Sequence, residues 1–195
     1  QDMSWDRITE GLNTAETEAL LGCLVDHCRT QPNEAAGHHT LAEVLLSVQQ
    51  PLGAKACWQR CLELDPAHGA ARLQLAQLLI RIGDPSAALD LLDHSPHVPT
   101  PESNTLRGLA SLQISTTHEA AASSLKQSIQ LDPPPTERLF LQSWQLAAGL
   151  VLNGHHRAAT PWLEALEMCQ PNQRLVRMLR LLNHQPQPND LAPVQ

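Results

Sequence analysis

The sequence predicts an all-α chain, an α-α superhelix in which about four to five helical hairpins stack as a solenoid, and three observations carry that prediction. Leu41-Ala42 returns as Leu75-Ala76 and again as Leu109-Ala110, 34 positions apart each time. Ala54 returns as Ala88 and Pro32 as Pro66 at the same step, and bulky Trp58 is answered by bulky Leu92. Self-similarity at this period marks an array of two-helix units. Aromatic residues are scarce, with no Tyr, one Phe and four Trp, whereas Leu and Ala abound. That composition favours helices over a thick β-sandwich core. Prolines then fall where the periodic stretches stop, and the residue before a proline is pushed out of the helical region.

Residues 1–14 show little periodicity and read as a loosely ordered lead-in. Thr14-Ala15-Glu16-Thr17-Glu18 opens a helix to about Arg29, acidic early and basic late, as the helix dipole prefers. A helix from about Glu34 to Val48 places Leu41, Val44, Leu45 and Val48 at three-and-four spacing. Gln50-Pro51-Leu52-Gly53 reads as a turn, and the helix after it carries Ala54, Cys57, Trp58, Cys61 and Leu62 on one face up to Asp65-Pro66. The cycle repeats from about His68 to Ile82. Asp84 then serves as N-cap and Pro85 as first residue of a short helix ending near Asp93. His94 to Ser103, with three prolines, reads as a long loop. A third pair spans about Asn104 to Leu131 and a fourth Glu137 to Cys169, turning at Asn153-Gly154. Arg174 to Leu182 gives one more helix, and 184–195, rich in Pro, Gln and Asn, reads as a disordered tail.

These units resemble tetratricopeptide repeats. That pattern asks for a Leu and a small residue in the first helix, a small residue in the second, a bulky one a turn later, and a closing proline. Residues 35–66 supply Leu41, Ala42, Ala54, Trp58 and Pro66, and residues 69–101 supply Leu75, Ala76, Ala88 and Leu92. Residues 140–171 supply Leu146, Ala147, Gly154, Ala159, Leu163 and Pro171. The unit at 103–133 keeps Leu109-Ala110, but its second helix arrives one residue early at Ala121 and Leu125, as a turn one residue shorter near Thr116-Thr117 would produce. With a capping helix at 172–183, the repeat domain spans 15–183. The small residues sit twelve apart (Ala42 with Ala54, Ala76 with Ala88, Ala147 with Ala159), which suits two helices crossing closely.

The resemblance implies a protein- or peptide-binding scaffold whose first helices line a concave face. By register that face holds His39, Glu43 and Leu46, then Leu73, Gln77, Ile80 and Arg81. The later units add Arg107, Ser111, Ile114, Trp144, Ala148 and Val151. Leu73, Ile80 and Trp144 read equally well as core between repeats. The best-known subgroup clamps the C-terminal carboxylate of heat-shock chaperones with Lys, Arg and Asn. Arg81 and Arg107 are present here without a matching Lys or Asn, so an apolar or helical segment is the expected partner rather than an acidic C-terminal peptide. Two other readings remain open. The repeats could be part of a larger enzyme, such as a transferase, positioning substrate or packing on a catalytic domain. They could also form an oligomerisation module contacting through Leu175 to Leu182.

The formal charge of −7 and the presence of only two lysines, Lys55 and Lys126, argue against nucleic acid or an anionic membrane as partner. No apolar run approaches the roughly 18 residues that would cross a bilayer. The first residues carry no signal-peptide pattern, and a start at Gln1 suggests processing or a piece of a longer protein. Five cysteines, Cys23, Cys28, Cys57, Cys61 and Cys169, match no disulfide framework and point to a reducing, cytoplasmic compartment. Cys57 and Cys61 share a helix face and could form half a metal site, although Cys61 more simply fills a small buried slot. His38-His39 and His155-His156 point in divergent directions and read as solvated histidines rather than metal ligands. No nucleophile elbow, phosphate loop or metalloprotease helix occurs. The expectation is therefore a non-enzymatic chain with no catalytic residues, no cofactor and no metal.

Overall fold

The computed structural model describes residues 14–96, 98–169 and 174–183, which are helical apart from short connections. Residues 1–13 of the expected lead-in 1–14, the tail 184–195 and the closing Pro171 lie outside the described residues, and Thr14 already belongs to a helix. The contacts divide the chain into two compact units, Gln1–Val98 and Pro99–Gln195.

The first unit holds α1 (Thr14–Thr30), α2 (Ala35–Ser47), α3 (Pro51–Leu64), α4 (Gly69–Arg81) and α5 (Pro85–Asp93). Helices α2 and α3 form one hairpin, α4 and α5 the next, with α1 packed on α2 and α3 on α4. The small residues do what their spacing suggested: Ala42, Ala54, Ala76 and Ala88 are all fully buried. Trp58 and Leu92 fill the volume one turn later, both essentially inaccessible. Pro51-Leu52-Gly53 is not a turn but the opening of α3, because a proline at the first helical position loses no hydrogen bond it would otherwise make. The chain reverses instead at 48–50, where Gln49 takes a left-handed conformation, φ 61°. Asp84 caps α5 as predicted, accepting from Ala87 N.

Arg72, on α4, is buried, and among the described residues no carboxylate pairs with it. Its guanidinium donates to the carbonyls of Leu91 (2.9 Å) and Pro66 (2.6 Å), tying the end of one hairpin to the second helix of the next. Burial lowers its pKa, so the carbonyl dipoles at both ends offset part of the cost of desolvating the charge.

The second unit holds α6 (Pro101–Ile114), α7 (His118–Ile129), α8 (Glu137–Leu152), α9 (His156–Cys169) and α10 (Arg174–Asn183). Helices α6 and α7 pair, α8 and α9 pair, α7 packs on α9, and α10 lies against α8 and α9. The long loop expected over 94–103 is shorter, because Pro101 starts α6 and Thr100 closes a capping box with Ser103. Proline and a hydroxyl N-cap together start a helix efficiently, which the proline count alone conceals. Ala110, Ala147 and Ala159 are fully buried, and Leu125 and Leu163 repeat the roles of Trp58 and Leu92.

The slip in the third hairpin has a different cause from a shorter turn. Three residues join the paired helices in each hairpin, but α6 stops one residue sooner after its Leu-Ala pair than α2, α4 and α8 do. Ser115 caps it in extended backbone, φ −64° and ψ 121°, where the other three helices cap on Val48, Ile82 and Asn153 at φ −85° to −90° and a left-handed residue follows each cap.

Candidate peptide-binding groove

Within the second unit, the facing sides of α6 and α8 leave a groove of about 450 Å³ lined by Leu109, Leu112, Gln113, Gln142, Gln145 and Leu146. Both walls are first helices of their hairpins. The start of α6 is pinned to the segment entering α8 by buried polar groups. Asn104 donates through Nδ2 to the carbonyl of Pro133 at 2.7 Å, and the Thr105 hydroxyl accepts from Thr136 N at 2.7 Å. Thr105 and Thr136 hydroxyls also meet at 2.9 Å. Arg138 reaches Glu102 at 3.6 Å on the surface. A close approach follows at Gly108, midway along α6, against the first turn of α8. Gly108 on α6 receives Leu139 of α8 so closely that a Cβ would sit 2.7 Å from its Cδ2. Beyond that point the two helices leave the groove between them.

Leu146 shows the consequence. Its counterparts Leu41, Leu75 and Leu109 are buried, at 6, 3 and 5% exposure, yet Leu146 is 51% exposed. Leu109 and Leu112 form the opposite apolar wall. Gln113, Gln142 and Gln145 are exposed at the rim, and among the described residues their amides make no hydrogen bond. A wall of leucine edged by uncharged donors and acceptors suits an apolar segment whose backbone groups need partners.

The residues that register places on the concave face are distributed differently. In the second unit, Ala148 and Val151 are buried, Ile114 is exposed, and Arg107, Ser111 and Trp144 are half-buried. None of these six lines the groove between α6 and α8. The Trp144 Nε1 is buried and finds no acceptor among the described residues. In the first unit, Ile80 is buried, Arg81 is exposed, and Leu73 and Gln77 are half-buried.

His39 and Glu43 belong to a local network. The Trp58 indole donates to His39 Nδ1 at 3.1 Å, so Nε2 carries the ring proton and faces Glu43 at 3.4 Å. The His68 ring lies 4.6 Å away, its own Nδ1 accepting from Ala71 N as the cap of α4. Burial, and secondarily His68, depress the His39 pKa to about 4. His39 is thus a neutral structural group rather than a solvated one. His38 contacts the Pro32 carbonyl and His156 the Asn183 side chain, at 3.1 and 3.0 Å.

Cys61 is fully buried in α3, and desolvation pushes its thiol up to about 11. Cys169 is raised likewise to about 11 by burial. A thiol that resists deprotonation is a poor nucleophile and a poor metal ligand. Among the described residues, no three His, Cys, Asp or Glu side chains gather as a metal site would require. Nor is any described helix long and apolar enough to cross a membrane.

Sequence reasoning did not single out Gln113, Gln142 and Gln145, because an exposed glutamine on a helix reads as ordinary polar surface. Leu146 was legible only as a core position, since it matches the repeat pattern. The available signal was indirect: three glutamines accompany leucines on the two first helices of adjacent units.

Comparison with known proteins agrees with the helical-hairpin fold. The tetratricopeptide repeat family profile matches residues 45–102. No curated protein matches the sequence. Among solved structures, MamA from Desulfovibrio magneticus RS-1 (residues 41 to the end) is 19% identical, with 86% of this chain and 90% of that one covered at a TM-score of 0.56. PilW, described as a widely conserved type IV pilus biogenesis factor, is 17% identical, with 86% and 76% covered at 0.53. YrrB, described as a TPR protein with an unusual peptide-binding site, is 14% identical, with 82% and 90% covered at 0.50. At these identities the likeness establishes the fold. The chain therefore has an all-α fold of helical hairpins like that of these structures, and residues 45–102 match the tetratricopeptide repeat family.

Proposed function

We propose that the chain is a non-enzymatic scaffold that binds a segment of another protein, and that the groove between α6 and α8 receives it. The observation that carries this reading is the exposure of Leu146, a repeat-pattern leucine left 51% accessible on a groove wall. Its fellow lining residues include no charge. The partner is accordingly an apolar, uncharged segment rather than an acidic C-terminal peptide. Its backbone would meet the amides of Gln113, Gln142 and Gln145 while its apolar side chains rest on Leu109, Leu112 and Leu146. Five free cysteines favour a reducing, cytoplasmic setting for this work.

A displayed library of random peptides, panned against the intact chain, tests the reading. Selected peptides should be rich in apolar residues and poor in charge. Leu146→Glu should weaken their binding tenfold or more, about 1.4 kcal/mol, without lowering the melting temperature. Selection of acidic C-terminal peptides, or binding indifferent to Leu146→Glu, would overturn it.

A further inference from the structure

Three helices of the first unit, α3, α4 and α5, line a groove of about 550 Å³. None of its lining residues belongs to the concave-face set read from the repeat register. Leu75 and Leu79 of α4 line it buried, and Leu62 of α3 and Leu91 of α5 line it half-buried.

The charges on its walls do not balance. Lys55, on α3, is half-buried and has no ion pair or hydrogen bond among the described residues. The chain's other lysine, Lys126, is engaged by Glu164 at 3.2 Å. Arg72 is 8% exposed; its two terminal nitrogens donate to the carbonyls of Leu91 and Pro66, and its Nε is buried without an acceptor. Glu63 is the one carboxylate among the lining residues, and Arg60 already holds it at 2.9 Å. Two cations thus line this groove in a chain of formal charge −7. They stand apart along it. Arg72 is tied to Pro66, just beyond α3, and so shares the Glu63 end. Lys55 comes eight residues before Glu63 on the same helix, about 12 Å away along its axis.

We propose that this groove binds a small apolar monocarboxylate, with its carboxylate at the Lys55 ammonium and its aliphatic body over Leu75, Leu79 and Leu91. The site is separate from the groove between α6 and α8 and does not rest on the function proposed for it. Charge complementarity selects an anion, since Lys55 lacks a counterion and the buried charge of Arg72 is poorly screened by water. A second carboxylate at the far end would face Glu63, so one negative charge is the fit. The walls also select against a peptide. Gln59 is the one uncharged hydrogen-bonding side chain among the lining residues, so a peptide's repeating amides would lie largely unmatched, whereas an aliphatic chain carries none. The volume lies within the roughly 300–1,000 Å³ of small-ligand sites.

Octanoate is the probe, titrated into the full chain by isothermal titration calorimetry, with octan-1-ol as its uncharged counterpart. Octanoate should bind at one site, and octan-1-ol about tenfold more weakly or less. Lys55→Glu reverses a charge that holds no partner, so the melting temperature should be retained while octanoate affinity falls about tenfold or more. Lys126→Gln, which removes the other lysine, and Leu146→Glu, in the α6–α8 groove, should each leave that affinity within about twofold. Raising salt to about 1 M should weaken octanoate binding. Octan-1-ol binding as tightly as octanoate, or unchanged affinity in Lys55→Glu, would overturn the proposal. So would loss of octanoate binding in Leu146→Glu, or no binding at about 10 mM octanoate. A capped apolar peptide bearing one Glu that displaces octanoate at lower concentration would overturn the choice of a small ligand.

Discussion

At the scale of single residues, His39 makes stability depend on pH in a definite direction. Its pKa of about 4 lies below the ordinary 6.5, so the unfolded chain binds more protons than the folded one in between. The contribution is complete above pH 6.5 and is lost as the pH falls toward 4, by about 3 kcal/mol of unfolding free energy from chemical denaturation. Protonation would also place a second N–H against the Trp58 indole donor. His39→Gln should flatten that acid limb; an unchanged limb would assign it to other groups. Two glycines make a paired test of packing. Gly108 sits under Leu139 and 3.2 Å, by its absent Cβ, from Ser128 Cβ, and Leu139 is 1% exposed with no room to swing aside. Gly108→Ala should therefore cost about 1–3 kcal/mol of overpacking, more than the roughly 1 kcal/mol its helix propensity returns. Gly149, in α8, has nothing within 4 Å of its Cβ direction, and Gly149→Ala should stabilise by about 1 kcal/mol. Chemical denaturation of both variants would show opposite signs.

At the scale of helices and turns, three first arms end in the same way. Gln50 N reaches Leu45 O, Asp84 N reaches Leu79 O, and His155 N reaches Leu150 O, each at 2.8 or 2.9 Å. The residue before each is left-handed: Gln49 at φ 61°, Gly83 at 84°, Gly154 at 78°. Gln49 stands 34 positions before Gly83, so it occupies the glycine position of its own unit. Gln49→Gly should remove the clash of Cβ with the following carbonyl and stabilise by about 0.5–1 kcal/mol, read as a raised melting temperature. This is also where the sequence is most and least informative. Alanine pairs at twelve-residue spacing disclose each hairpin crossing, because a crossing is a local steric requirement repeated in every unit. The extended Ser115, the opening of α3 at Pro51 and the use of Thr100 as a cap were not legible from periodicity. Proline and serine are compatible with either a turn or a helix start, and the neighbouring hydrogen bonds decide. The groove was hidden for a similar reason. Leu146 obeys the local pattern, and only the separation of α6 from α8, held at one end by Asn104, Thr105 and Thr136, leaves it uncovered.

At the scale of the whole molecule, two interactions of different physical character are separable by salt. The wall of the α6–α8 groove has no charge, so peptide binding there should change less than about twofold between 0.05 and 1 M salt, while carboxylate binding beside Lys55 weakens as its charges are screened. Titrations at both ionic strengths measure each. If peptide binding fell with salt as steeply as carboxylate binding did, the peptide would be docking on a charged face instead. The unengaged amides of Gln113, Gln142 and Gln145 bear on how the groove discriminates. An amide side chain addresses the repeating peptide unit, which every sequence shares, and can serve a donor or an acceptor equally. A segment displaced by two residues presents the same polarity to the rim and a new pair of apolar side chains to the leucines. A segment bound as proposed would therefore be selected for composition rather than for a motif, and would occupy the groove in several alignments that exchange by sliding.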